Sequence, residues 1–217
     1  MIRAELSMHH RLRGLYVITD TVQFKRDDLV RVVAEAIAGG ARIVQYRDKS
    51  GDTERRLAEA SALRSLTLEH EVLFLINDDL DLAEAVAADG VHLGKEDSAI
   101  KAARDRLGSE AVIGASCYNS FELAQDAVRA GANYVAFGAF FPSRTKPDAV
   151  VASMPLLIES KQKLGVPICA IGGITRQSAP ELISAGADML AVISAVFSAT
   201  DIQAAARDFS TLWPSTV

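Results

Sequence analysis

Short apolar runs alternate with amphipathic stretches along most of the chain. The runs at residues 14–19, 42–46, 72–76, 90–93, 112–115, 134–139, 168–171 and 189–193 are nearly continuous in apolar residues. That is how strands covered on both faces of a parallel sheet read. Between them apolar residues recur at helical spacing, as in Leu29-Val32-Val33-Ile37 and Leu123-Ala124-Ala127-Val128. Each strand is therefore expected to be followed by a helix that lays one stripe on the sheet.

A repeated join sharpens this pattern. Ala38-Gly39-Gly40-Ala41, Ala130-Gly131-Ala132-Asn133 and Ala185-Gly186-Ala187-Asp188 each lie between a helix and the next strand, and Ala88-Asp89-Gly90 is a degenerate copy. Glycine suits the left-handed position that ends a helix. Eight strands with this alternation in a chain of 217 residues predict an α/β fold of the (β/α)8 TIM barrel class, with the site where strands end and βα loops begin. A doubly wound open sheet is the competing topology. No Pro/Ser/Gly-rich linker divides the chain, so residues 1–217 are expected to form a single domain. Its barrel core spans about 14–197 and a C-terminal helix about 201–213.

Composition narrows the function classes. A hydrophobic content of 49% with 24% charged residues provides for a sizeable core. The net charge of -5 argues against a nucleic-acid surface or an anionic-membrane surface, while leaving room for a local cationic pocket. Cys117 and Cys169 are far apart and form no C-x-x-C, as expected of buried thiols in a reducing compartment. The first residues lack an apolar signal core, and no run approaches a membrane span. A cytoplasmic protein is expected; its oligomeric state is not legible, and a homo-oligomer is compatible.

The strand ends carry the candidate chemistry. In Val44-Gln45-Tyr46-Arg47-Asp48-Lys49, Gln45, Arg47 and Lys49 share the period of two and point to one side while the run stays extended. Arg and Lys there suit a phosphate or pyrophosphate, or else form a solvated charged loop. Asn77-Asp78-Asp79 and His92-Leu93-Gly94-Lys95-Glu96-Asp97 leave adjacent strands. Asp78 and Asp97 are candidate ligands for Mg2+, with helix capping as the alternative for Asp78, Asp79 and Asp97. His92 is read as a hydrogen-bonded strand histidine. Ser116 has no G-x-S-x-G around it and no evident base, so it reads as a hydrogen-bonding hydroxyl rather than an activated nucleophile.

The apolar run 136–141 reads as strand and gives way abruptly to Pro142-Ser143-Arg144-Thr145-Lys146. Ser143 and Thr145 can offer hydroxyls to phosphate and Lys146 a charge, or Pro142 and Pro147 simply bracket a turn. The exits Ile171-Gly172-Gly173-Ile174 and Val192-Ile193-Ser194 supply free amides where barrels build phosphate sites.

Together these segments resemble the thiamine phosphate synthase family. The resemblance rests on Gly14-Leu15-Tyr16-Val17-Ile18-Thr19-Asp20, Val44-Gln45-Tyr46-Arg47-Asp48-Lys49, Ile76-Asn77-Asp78, Gly90-Val91-His92-Leu93-Gly94-Lys95-Glu96-Asp97, Phe140-Phe141-Pro142-Ser143-Arg144-Thr145-Lys146, Ala170-Ile171-Gly172-Gly173-Ile174 and Val192-Ile193-Ser194-Ala195, in order from about residue 14 to 197. It implies a TIM barrel that joins a phosphorylated pyrimidine, 4-amino-2-methyl-5-hydroxymethylpyrimidine diphosphate, to a phosphorylated thiazole, 4-methyl-5-(2-hydroxyethyl)thiazole phosphate. The products are thiamine phosphate and pyrophosphate, and Mg2+ is required.

By position, the resemblance places Gln45, Arg47, Lys49, Asn77 and Lys146 on the pyrimidine diphosphate and Asp78 and Asp97 on Mg2+. It places Ser143, Thr145, Gly173, Ile193 and Ser194 on the thiazole phosphate, and Ser116 near the reacting groups. Arg47, Lys49, Ser116 and Lys146 are thus the catalytic candidates. The resemblance further implies that pyrophosphate leaves first and that the ring-stabilised cation is then attacked by the thiazole nitrogen, a route that needs no nucleophile or triad. Tyr46 stands where the family commonly has Leu, Lys95 where it has Gln, and Ser143 where it often has Thr. By alternation Tyr46 faces away from Gln45 and Arg47. A thiazole tautomerase-like relative and a non-catalytic phosphate-ligand-binding barrel are the alternatives; the retained charges at Arg47, Lys49, Asp78, Asp97 and Lys146 argue against the first.

Overall fold

The computed structural model describes residues 10–19, 21, 24, 26–94, 97–142 and 150–213. Among these residues eight parallel strands close into a barrel in sequence order. They are β1 (Gly14–Ile18), β2 (Ile43–Tyr46), β3 (Leu73–Asn77), β4 (Gly90–Leu93), β5 (Val112–Tyr118), β6 (Tyr134–Phe137), β7 (Ile168–Ile171) and β8 (Met189–Val192). The helices are α1 (Arg26–Ala38), α2 (Thr53–Glu69), α3 (Leu80–Ala85), α4 (Asp97–Leu107), α5 (Phe121–Ala130), α6 (Met154–Lys163), α7 (Ala179–Ser184), α8 (Ser194–Phe197) and α9 (Ile202–Ser210). The open-sheet alternative is excluded by the pairing of β1 with both β2 and β8.

Strand alternation sorts the core into two layers. Inward-facing Tyr16, Ile43, Leu75, Val112, Tyr134 and Met189 belong to the cluster that fills the barrel. Outward-facing Leu15, Val44, Phe74, Ile113, Val135 and Leu190 pack under the helices. Gly114 is glycine for a local reason: a Cβ there would stand 2.1 Å from Cζ of Tyr134. The ring of Tyr134 occupies the space that a side chain at 114 would need.

The helix starts follow from capping. Side chains of Asp52, Asp79, Ser120, Ser153 and Asp201 each accept a hydrogen bond from a backbone N–H in the first turn that follows, which satisfies an otherwise orphaned donor. At the other end, Gly40, Gly131 and Gly186 adopt the left-handed backbone expected from the repeated join. In the degenerate copy Ala87 takes that conformation instead.

The polar residue that three of the four joins carry has a job the sequence does not reveal. Asp89 accepts from the N–H of Phe74 at 2.8 Å, Asn133 from Ile113 at 2.8 Å and Asp188 from Ile168 at 2.9 Å. A cation from a neighbouring helix closes each clamp: Arg64 on Asp89, Arg104 on Asn133 and Lys161 on Asp188. Replacing Asp89 with Ala leaves the Phe74 N–H and the mostly buried Arg64 guanidinium without this acceptor. The expected cost is about 2–3 kcal/mol, read as a lower urea midpoint, with Asp89→Asn losing less because it keeps an acceptor.

Several boundaries differ from the sequence pattern. β6 ends at Phe137 rather than continuing to residue 139. The Gly138–Ala139 peptide is cis, and Ala139, Phe140 and Phe141 donate their N–H groups to Val150, Ile171 and Gly172. The apolar run 136–141 is therefore half strand and half a cover on the end of β7. β5 runs on to Tyr118, with a register irregularity between Ser116 and Tyr118, which puts Ser116 inside the ladder. The last helix ends at Ser210; Leu212 and Trp213 lie beyond it and pack on the core.

Candidate active site

The C-terminal ends of the strands form a rim, and the expected site residues divide around it. On one side, Lys49, Asn77 and Asp78 line an open cleft of about 510 Å3, together with Asp48, Asp79 and Arg56. β2 and β3 are direct neighbours, which is why residues from their two exits meet.

The β2 exit is held from behind. The strand ends at Tyr46, so alternation no longer governs Arg47 and Lys49; Asp48 anchors them instead. Its carboxylate is almost completely buried and pairs with Arg55, and it accepts from the Ser50 N–H at 2.6 Å. Burial pushes this carboxyl up, but the bonds from Ser50 and the charge of Arg55 outweigh it and bring it below the usual carboxylate range. Arg47 is fixed through its backbone N–H, which donates to Thr19 Oγ1 at 2.9 Å. Tyr46 faces outward, as its parity requires, and donates to buried Glu59 of α2 at 2.7 Å.

The acidic pair after β3 separates into two roles. Asp79 caps α3 through Leu82 N and pairs with Arg56 at 2.7 Å. Asp78 caps nothing. Its backbone is left-handed, with φ 61°, and its side chain is exposed in the cleft, accepting from Asn77 Nδ2 at 2.7 Å. Among the described residues it forms no salt bridge. An exposed carboxylate free of cation partners is a suitable hard-oxygen ligand for Mg2+. Asp97 opens α4 as its first residue, and its side chain is outside the described set. Among the described residues no group of three or more His, Cys, Asp and Glu is arranged to hold a metal.

Across the rim, Gly173 follows β7 with φ +64°, a left-handed conformation. A Cβ there would lie 2.5 Å from the carbonyl oxygens of Phe141 and Pro142, so only glycine lets the β6 exit come this close. Ser194 begins α8 on the adjacent strand exit, and Ile193 packs against the barrel interior. Ser143, Thr145, Lys146 and Lys95 lie outside the described residues. The rim thus gathers Lys49, Asn77 and Asp78 on one flank, with Gly173, Ile193 and Ser194 at neighbouring exits on another.

Between the flanks a line of hydrogen bonds crosses the barrel. Gln45, only 2% exposed, donates from Nε2 to the Tyr16 hydroxyl at 2.5 Å. The Tyr16 and Tyr134 hydroxyls are 2.9 Å apart, Tyr134 Oη is 2.8 Å from His92 Nδ1, and His92 Nε2 is 2.9 Å from Ser116 Oγ. His92 is a hydrogen-bonded strand histidine, as expected. The expectation that Ser116 lacks a nearby base needs correction, because a ring nitrogen is in contact with it. Burial holds His92 down to about 4, even though Asp78 nearby raises it, so the ring is a poor base and Ser116 is no activated nucleophile. Burial also pushes both tyrosines well above their ordinary range. Period-two alternation marks Tyr16 as inward-facing, but nothing local in the sequence signals that it meets Tyr134.

A closed parallel barrel whose strand exits bring Lys49, Asn77 and Asp78 to one cleft, with Gly173 and Ser194 at neighbouring exits, has the layout on which barrel enzymes build their sites. Residues 15–196 match the family described as thiamine monophosphate synthase. The chain is 53% identical over 201 residues to a thiamine-phosphate synthase of Chromobacterium violaceum, covering 92% of this chain and 96% of that one. It is 50% identical over 204 residues to one of Thioalkalivibrio sulfidiphilus, covering 94% and 96%. A solved thiamine phosphate pyrophosphorylase from Pyrococcus furiosus superposes with a TM-score of 0.85 at 38% identity, covering 94% of this chain and 96% of that one. The chain belongs to the thiamine monophosphate synthase family, and is a transferase of that type. Among the described residues no helix is long and apolar enough to cross a membrane.

Proposed function

We propose that this chain couples 4-amino-2-methyl-5-hydroxymethylpyrimidine diphosphate to 4-methyl-5-(2-hydroxyethyl)thiazole phosphate, releasing thiamine phosphate and pyrophosphate. The observation that carries the reading is the meeting of Lys49, Asn77 and Asp78 on one cleft, beside the exit that carries Arg47. A basic side chain, an amide and a free carboxylate suit a diphosphate with its counter-cation.

In this reading Arg47, Lys49 and Lys146 grip the diphosphate, and Asn77 adds an amide donor. Asp78, with Asp97 by the family resemblance, would hold Mg2+, which when bound offsets the charge of the departing pyrophosphate. Gly173 and Ser194, with Ser143 and Thr145, receive the thiazole phosphate. Gln45 and Ser116 lie on the inner wall between the two groups, where the pyrimidine ring would sit. Rate then comes from fixed charges aimed at the leaving group and from holding two reactants in line. The nearest ring nitrogen to Ser116 is too weak a base to support a covalent route.

Incubation of the purified protein with both substrates and Mg2+ tests this directly. Thiamine phosphate and pyrophosphate are expected to appear in equal amounts, to stop on chelation and to resume when Mg2+ is restored. Conversion of a thiazole phosphate without pyrophosphate release would identify a tautomerase instead. Binding of both substrates without products would identify a non-catalytic barrel.

A further inference from the structure

The sense of every hydrogen bond in the line from Gln45 to Ser116 can be worked out from what each atom is able to do. An amide nitrogen only donates, so at 2.5 Å the Tyr16 oxygen accepts from Gln45. The single proton of Tyr16 is then directed to its other neighbour, the oxygen of Tyr134, 2.9 Å away. Tyr134, having accepted there, gives its own proton to His92 Nδ1. A neutral imidazole that accepts at Nδ1 carries its hydrogen on Nε2. His92 therefore donates to Ser116 Oγ at 2.9 Å. Ser116 accepts from the ring and keeps its own proton for the mouth. The opposite sense fails at the first bond, where the Tyr16 proton would face the amide hydrogens of Gln45.

We propose that Tyr16, Tyr134 and His92 are positioning residues that lock His92 in its Nε2–H tautomer and so present the Ser116 hydroxyl as an oriented donor to an acceptor oxygen or nitrogen of the bound substrate. The identity of that substrate rests on the coupling reaction proposed above; the tautomer does not. Fixing the donor in advance means that no hydroxyl has to turn as charge develops. The line ties β2, β1, β6, β4 and β5 together, so the polarity of a group at one wall is set by an amide at another.

The test reads the tautomer without substrate. Protein labelled with 15N at its four histidines is examined by long-range 1H–15N correlation, with His92 assigned from the missing signals of His92→Gln. The expected spectrum shows His92 protonated at Nε2 and bare at Nδ1, and Tyr134→Phe admits the other tautomer. A wild-type ring protonated at Nδ1 overturns the proposal.

Turnover supplies the second readout. The amide nitrogen that His92→Gln introduces reaches about as far as ring Nε2, and this variant is expected to keep kcat within about threefold of wild type. The shorter His92→Asn reaches Tyr134 but not Ser116 and loses about tenfold in kcat, the order of one hydrogen bond, with KM within about twofold. Equal losses in the two variants would also overturn it. If wild type makes no thiamine phosphate, the coupling reaction is wrong, while the spectrum still decides the tautomer.

Discussion

Replacing Asp78 with Asn is expected to lower kcat/KM for coupling by about a hundredfold, the usual size of losing one preorganised electrostatic group at a reacting centre. The choice of Asn matters. Asp78 sits at φ 61°, where Asn is as much at home as Asp and where Ala would add backbone strain. The substitution also preserves shape. Asp79 continues to cap α3 and to pair with Arg56, so thermal stability should stay within about 0.5 kcal/mol of wild type. What changes is one negative charge in the cleft shared with Lys49 and Asn77. Initial rates over a range of Mg2+ concentrations check the assignment, with half-maximal activity moving to higher Mg2+. Unchanged rates at low Mg2+ would remove Asp78 from the metal site.

The second large effect is structural. Gly114→Ala should destabilise the barrel by about 3 kcal/mol, the upper part of the usual range for overpacking a filled core. A chain of this size would then melt about 10 °C lower. The added methyl would lie 2.1 Å from Cζ and 2.4 Å from the hydroxyl oxygen of Tyr134. Tyr134 cannot retreat freely, since its hydroxyl is engaged by Tyr16 and His92 and its ring is wholly buried. Activity should fall along with stability, because the same displacement breaks the line that holds Ser116. Calorimetry and turnover on one preparation check both parts, and a variant of wild-type stability would show that the interior has slack there.

The fold was legible because every unit announces itself in an apolar strand, and four of them, those of β2, β4, β6 and β8, a second time in the join that precedes the strand. Gln45 and Tyr46 could be assigned to opposite faces by parity alone, and both fall where parity puts them. The adjacent acids were harder. Asp78 and Asp79 are alike in sequence, and only the backbone at Asp78 and the cap at Asp79 separate the ligand candidate from the structural one. The run 136–141 misled because apolarity reports burial, not pairing. Residues 139–141 are held by Val150, Ile171 and Gly172 rather than by the sheet. The meeting of Tyr16 with Tyr134 left no trace, since the two are 118 positions apart and belong to strands that are not neighbours. Contacts across the inside of a closed barrel have no sequence period to betray them.

The clamps at Asp89, Asn133 and Asp188 sit at the joins, on the floor of the barrel at the end opposite the strand exits. They secure consecutive units to one another through backbone amides, independently of what the loops above contain. Rim residues can accordingly be exchanged without removing any of these three clamps.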